Sequence, residues 1–296
     1  MNRRNFLKMA GVGTVFLGGG GYFYLDDKYK HPVLERDGKI LCDLHAHPPN
    51  DVPLDDLVNF LGKPGLIGLS QRYENNKILT YERAREIIGN DTDFQELTDG
   101  QLARFREGYF VRSQELKGGI HHFLALGWDG DYIQDKDTPQ AAIDAIHEQN
   151  GVVIFNHPYT IPCGIGFRIA NSEEREIIKG LLSKVDEVEV HNAFNVNYFG
   201  IGMRESNKLA LKIVQDNGRH RGTASSDCHR DLEQTKICGI YIEKDVIDTE
   251  GMNGLKNELV EGNFERYGDP EKGPYISRLS FTMTMILPRI ERILGI

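Results

Sequence analysis

Short apolar runs alternate with amphipathic ones along this chain, and the apolar runs begin or end in histidine or acid. Strands are expected at 40–44, 66–69, 109–116, 122–126, 152–156, 187–191, 223–225 and 239–242. Helices are expected near 54–61, 81–88, 138–149, 173–182, 204–216 and 252–261. Several strands run through turn chemistry into a helix, the signature of parallel βα units. Gly151 and Gly218 fall just past helices, as C-terminal caps do. Repeated βα units with polar residues at strand ends point to an α/β barrel whose site lies at the carboxyl rim. A doubly wound open sheet is the alternative, but no Gly-x-Gly-x-x-Gly follows a strand and opens a helix.

The polar residues at those ends are metal-ligand types in a fixed order. Asp43-Leu44-His45-Ala46-His47 puts two imidazoles two residues apart, and Ser226-Asp227-Cys228-His229 does the same with a carboxylate and an imidazole. Glu115, His122 and His157 lie between them. Residues two apart in a strand share a face, so one face offers imidazole nitrogens and carboxylate oxygens. That donor set suits zinc, manganese or iron. Glu96 and Glu107 are rivals of Glu115. His121 competes with His122, because alternation turns only one of them inward. His31, His147 and His220 read as ordinary core or surface residues. No Cys-x-x-Cys occurs. Cys42 and Cys228 read as small buried hydrophobes, while the four cysteines (with Cys163 and Cys238) are even in number and could pair in an oxidising compartment.

A length of 296 residues allows one large domain or two small ones. The formal charge of −9 and the lack of a basic cluster beyond the N-terminus argue against a nucleic-acid partner. Anionic substrates are compatible with it, since bound cations reverse the local field. Residues 1–30 form a separate segment. Arg3-Arg4 precede Phe6-Leu7-Lys8 and a weakly apolar, glycine-rich stretch, which resembles a twin-arginine export signal or an N-terminal anchor. This predicts an exported, periplasmic or extracytoplasmic protein handled by the twin-arginine machinery, and membrane-attached only if the segment is retained. The alternative is a cytosolic chain with a frayed end. Residues 39–278 are assigned to the barrel, with 71–108 as an inserted cap or lid, and 279–296 to a C-terminal helix.

The order His-x-His, Glu, His, Asn-His-Pro, Asp-x-His resembles the polymerase-and-histidinol-phosphatase (PHP) family. The carrying stretches are Asp43–His47, Val153–Tyr159 and Ser225–Arg230, supported by Ser113–Leu116, His122–Gly127 and Glu187–Ala193. The resemblance implies a distorted (βα)7 TIM-like barrel with two or three metals at its rim and hydrolysis of phosphoesters. It implies that His45 and His47 hold a first metal with Asp227. Glu115 would bridge to a second completed by His122 and His157, and His229 would serve a third. Two cations clamp the attacking and leaving oxygens and supply a metal-activated hydroxide. The substrate expected is a small phosphorylated molecule. Hydrolysis of a non-phosphate ester or amide, or a non-catalytic binding module, are the other readings. His229 or His191 is the candidate proton donor to the leaving group, and Asn156 and Tyr159 flank a ligand and could orient it or the substrate.

Two stretches depart from the family. Pro48-Pro49-Asn50-Asp51 replaces a longer first motif and leaves Asp51 as the only further candidate ligand there. The strand Gly65–Leu69 runs into Ser70-Gln71-Arg72 where the family has a metal-binding histidine. Arg72 or Gln71 takes that place. A guanidinium cannot bind a metal but can grip phosphate oxygens, so a two-metal centre with Arg72 facing the substrate is expected.

Overall fold

The computed structural model describes residues 32–72, 77–98, 100–163, 166–195, 203–229 and 232–275. The proposed signal (1–30) and C-terminal helix (279–296) lie outside the described residues. The elements are β1 (Glu35–Arg36), β2 (Lys39–Ala46), α1 (Leu54–Leu61), β3 (Gly65–Gln71), α2 (Tyr81–Ile88), β4 (Phe94–Thr98), β5 (Leu102–Phe105), β6 (Gly108–Gly118) and β7 (His121–Leu126). There follow α3 (Pro139–His147), β8 (Val152–Asn156), β9 (Thr160–Cys163), β10 (Gly166–Ile169), α4 (Ser172–Leu181) and β11 (Glu187–Asn192). The chain continues through α5 (Met203–Asn217), β12 (Thr223–Ser225), β13 (Gly239–Glu243), α6 (Lys244–Glu261) and β14 (Glu265–Tyr267).

The helices start and stop where local chemistry dictates. Thr80 and Thr138 cap α2 and α3 by accepting the N–H groups of Arg83 and Ala141, each at 3.2 Å. Asn171 and Glu174 form a reciprocal capping box on α4. Apolar spacing then buries one stripe of each helix, such as Leu57, Phe60 and Leu61 of α1 or Ala142, Ile143 and Ile146 of α3. The first half of α6 escaped the sequence reading because Lys244–Glu250 is polar. Gly251, at φ 59°, breaks the helix before its apolar half begins.

Seven strands, β2, β3, β6, β7, β8, β11 and β12, form a nearly closed barrel. The expected fold class is the one observed, a distorted TIM-like α/β barrel. Backbone bonds close it at one rim: Asp227 N–H donates to His45 O at 2.7 Å and His47 N–H to Cys228 O at 2.8 Å. The distortion has a simple cause. Only Gly119 and Ile120 separate β6 from β7, too few residues for a helical crossover, so β7 runs antiparallel to both β6 and β8. The start of β7, not its end, therefore reaches the rim. β13 is also antiparallel, pairing with the first half of β2.

Alternation along the strands divides the core. Leu66, Tyr109, Val111, Leu124, Leu126, Val152 and Ile154 pack together with Met252, Leu255 and Leu259 of α6. Their neighbours Phe123, Ala125, Val153, Phe155, Val188 and Val190 pack under α3, α4 and α5, and Ile67, Leu69 and Phe110 under α1 and α2. Within the segment read as a lid, 94–105 forms the β4–β5 hairpin, and β5 pairs with the first residues of β6, at the end away from the closing rim.

One buried amine, pushed down to about 7 by burial, ties this frame together. Lys236 is 4% exposed, and its Nζ donates to the carbonyls of Lys63, Pro64 and Gly65 at 3.0, 2.9 and 3.2 Å. Its backbone N–H donates to Asp43 Oδ2 at 2.8 Å, while Asp43 Oδ1 accepts from Ser226 N–H at 3.0 Å. Lys236→Met is expected to lower stability by about 3 kcal/mol, because three carbonyls lose their donors at once. Urea denaturation of the metal-free chain measures it, and a midpoint equal to wild type would refute the tie.

Candidate metal centre

Strand ends at the closing rim deliver seven potential ligands to one place. β2 brings His45 and His47, β6 Glu115, β7 His122, the turn after β8 His157, and the turn after β12 Asp227 and His229. Simple alternation would not aim them all inward. Ile40, Cys42 and Leu44 share the inner cluster, which would send His45 outward. An extra residue between Asp43 and Ala46, measured against β3, shifts the register. Ala46 then joins the outer core, and both histidines turn into the barrel.

The distances are those of one cluster. His45 Nε2 lies 3.2 Å from His47 Nε2, 3.7 Å from Glu115 Oε1 and 3.4 Å from Asp227 Oδ1. His47 Nε2 lies 3.1 Å from Glu115 Oε2 and 3.5 Å from Asp227 Oδ1. On the other side, Glu115 Oε1 is 2.7 Å from His122 Nδ1 and 3.3 Å from His157 Nε2. Four overlapping groups of three result: His45/His157/Asp227, His45/His47/Glu115, His47/Asp227/His229 and Glu115/His122/His157, each with ligand atoms within 4.8 Å of one another.

The orientation of the rings fits a cation. Nδ1–H of His47 donates to Ser70 O at 2.5 Å, that of His45 to Glu189 at 3.0 Å, and that of His229 to Asp227 O at 2.8 Å. Nδ1 of each ring is thereby engaged and Nε2 is turned to the cluster, the atom that ligates once it carries no proton. Carboxylate oxygens and imidazole nitrogens crowd together, an arrangement that positive charge stabilises. His229 Nε2 and Asp227 Oδ1 are buried without a hydrogen-bond partner, as ligand atoms would be.

Electrostatics agrees with that arrangement. Burial opposes the charge on Asp227, yet His45 and His229 hold it down to about 2. Against burial, Arg72 and His122 hold Glu115 well below the usual carboxylate range. His45 is driven down by burial but lifted more strongly by Asp227 and Glu189, ending well above an ordinary imidazole. Burial, with help from His47, pushes His229 down to about 3, so it is a neutral lone-pair donor. Each of the four groups mixes nitrogen and oxygen, which suits manganese, zinc or iron.

Several expected residues fall elsewhere or in a different setting. Of the histidine pair, His122 faces Glu115. His121 packs edge-on against Phe155 and is pushed down to about 4 by burial. His191 is not in the cluster. An extra residue in β11 between Glu189 and His191, measured against β12, turns His191 away, and its Nε2 meets Pro274 O at 2.9 Å. Tyr159 sits 4% exposed in the outer core, not in the cleft. Asp51 is exposed and outside every ligand group. Asn156 Nδ2 comes within 3.4 Å of His45 Nε2. Arg72, rather than Gln71, reaches the cluster, where its guanidinium pairs with Glu115 Oε2. Of the rivals, Glu96 accepts from Tyr81 Oη (3.1 Å) and Arg85 (3.0 Å), while Glu107 is exposed. His147 pairs with Asp186 at 3.0 Å, and His220 meets the Leu182 and Asp186 carbonyls. None of the four cysteines is in a disulfide, and Cys163 is the exposed one of the four.

Sequence reasoning passed over Glu189, Asn192 and Asp43, all buried around the cluster. The Glu-x-Glu spacing of β11 was the available signal for Glu189. Above the ligands opens a narrow cleft lined by Arg72, His122, His157, Asp227 and His229, with Thr160, Phe167, Phe194 and Asn195.

No family model and no curated protein matches the chain. Solved structures resemble it, among them the following two. One is a two-domain protein from Bacteroides vulgatus containing a predicted PHP-like metal-dependent phosphoesterase, with TM-score 0.51 and 14% identity over 81% of this chain and 68% of that one. The other is the lesion-specific endonuclease PfuEndoQ from Pyrococcus furiosus, with TM-score 0.49 and 12% identity over 87% of this chain and 66% of that one. At such identities, the likeness to the first speaks for the fold alone.

Proposed function

We propose that this chain hydrolyses a small phosphoester at a centre of two divalent cations. The observation that carries the reading is the convergence of five histidines, spread from His45 to His229, on the two oxygens of Glu115 and on Asp227 Oδ1. The phosphoesterase character of the Bacteroides protein with the same fold supports it. His45, His47, Asp227 and His229 would hold one cation, and Glu115, His122 and His157 the other, with Glu115 facing both. Bound cations would supply Lewis acidity, lowering the pKa of water and neutralising phosphoryl charge. Arg72, at the cleft, binds non-bridging phosphate oxygens. Asn156, whose Nδ2 lies 3.4 Å from His45 Nε2, orients that ring. Phe167 and Phe194 wall the leaving-group side and keep it small. The charge of −9 disfavours nucleic acid as substrate. Export by a twin-arginine route, to the periplasm or another extracytoplasmic place, belongs to the same proposal and is supported by Arg3-Arg4 ahead of Phe6-Leu7-Lys8. Among the described residues no helix is long and apolar enough to cross a membrane.

Metal titration of the purified chain tests the centre, and an aryl phosphomonoester tests the chemistry. We expect about two equivalents of manganese, zinc or iron, with hydrolysis appearing as the second binds. The pH dependence has a definite sign. His45 is raised, so it carries a proton near neutrality that a cation must displace. Affinity should then rise with pH, by about tenfold per unit for one displaced proton, and level off above the raised pKa. Three tightly bound equivalents would contradict the two-metal centre, and no binding would contradict the whole reading.

A further inference from the structure

We infer that Glu189 is the positioning residue of this centre: a single carboxylate that orients three of its ligands without binding metal itself. The inference rests on the metal-centre reading above and adds a role that the ligand pattern does not contain.

Glu189 is 2% exposed and belongs to none of the ligand groups. Its Oε1 meets His45 Nδ1 at 3.0 Å and accepts from Ser225 Oγ. Its Oε2 accepts the backbone N–H of His157 at 2.8 Å and Asn192 Nδ2 at 2.9 Å. A carboxylate has about four acceptor positions, so all are taken and none is left for a cation.

Each donor is a ligand or governs one. Accepting from His45 Nδ1 fixes the tautomer that leaves Nε2 as the ligand atom. His157 has φ 27° in the left-handed region, which few non-glycine residues adopt, and the bond to its N–H holds that turn. Asn192 Nδ2 also donates to Asp227 Oδ2 at 3.1 Å, which turns Asp227 Oδ1 toward His45 and His47. Glu189 thus ties together β2, the turn after β8, β11 and β12. The extra residue in β11 that turns His191 away also brings Asn192 onto the face of Glu189.

Glu189→Gln keeps the shape but places an NH2 against two donors, whichever way the amide lies. In equilibrium dialysis with Mn2+ alone, the full-length variant is expected to bind about 10- to 100-fold more weakly than wild type. Ring 15N spectra of the Zn2+-loaded protein should show the His45 Nδ1–H signal shifted or lost, which a merely structural role would not cause. Unchanged Mn2+ affinity, or weakened affinity with the His45 signal intact, overturns the inference. If that variant does not fold, Ser225→Ala decides: it touches no ligand, and a several-fold loss supports the role while wild-type affinity overturns it. The wild type is titrated first. A wild-type chain that binds no cation fails the proposed function, separately from this inference.

Discussion

Replacing Asp227 with Asn is expected to reduce hydrolysis by on the order of a thousandfold while leaving the fold intact. The backbone argument comes first. Asp227 has φ 49°, a conformation that Asn tolerates as well as Asp, and its N–H closes the barrel onto His45 O at 2.7 Å in either case. The side-chain argument runs the other way. Oδ2 is held by Asn192 Nδ2, while Oδ1 faces the His45 and His47 nitrogens without a partner. An asparagine must either point its NH2 at Asn192, donor against donor, or point it into the cluster in place of a ligand oxygen. The first keeps only a neutral oxygen toward the cluster and the second loses the ligand oxygen outright, and the negative charge is lost in each. Bound metal should fall below the wild-type stoichiometry. Thermal unfolding of the metal-free variant should fall modestly below wild type, since Asp227 is held down to about 2 by His45 and His229 and its anion therefore stabilises the fold at neutral pH. Wild-type turnover in this variant would count decisively against the assignment.

The fold was readable because strand and helix periods differ and because apolar residues alternate cleanly in 122–126 and 152–156. The ligand types were readable because they recur at strand ends. What could not be read is register. The extra residues in β2 and β11 exist only relative to neighbouring strands, and a one-residue shift exchanges faces. That is why alternation in the core residues of β2 conflicts with His45 facing inward, and why His191 seemed a candidate while Glu189 and Asn192 went unnoticed. The β4–β5 hairpin was missed for a related reason. Its residues are charged and only half buried, so it draws its order from pairing with β6 rather than from its own pattern. Tyr159 illustrates the reverse error, in which nearness to a ligand along the chain was taken for nearness to the cleft.

Arg72→Met should separate substrate binding from metal binding by moving them in opposite directions. The guanidinium engages Glu115 Oε2 through two of its nitrogens and is 33% exposed on its cleft side. An arginine offers five N–H donors, so further ones are available to phosphate oxygens. Losing them should lower kcat/KM for a phosphomonoester by about 100-fold, equivalent to about 3 kcal/mol of charge-assisted bonding. Metal affinity should change with the other sign. A positive charge beside Glu115 opposes any cation bound there, so its removal strengthens binding. Arg72→Lys would restore the charge but not the planar fork, and should recover only part of kcat/KM. General damage to the site would weaken both properties together. Steady-state kinetics and manganese titration on the same preparations distinguish the cases. A Met variant with intact kcat/KM would reduce Arg72 to a counter-ion for Glu115.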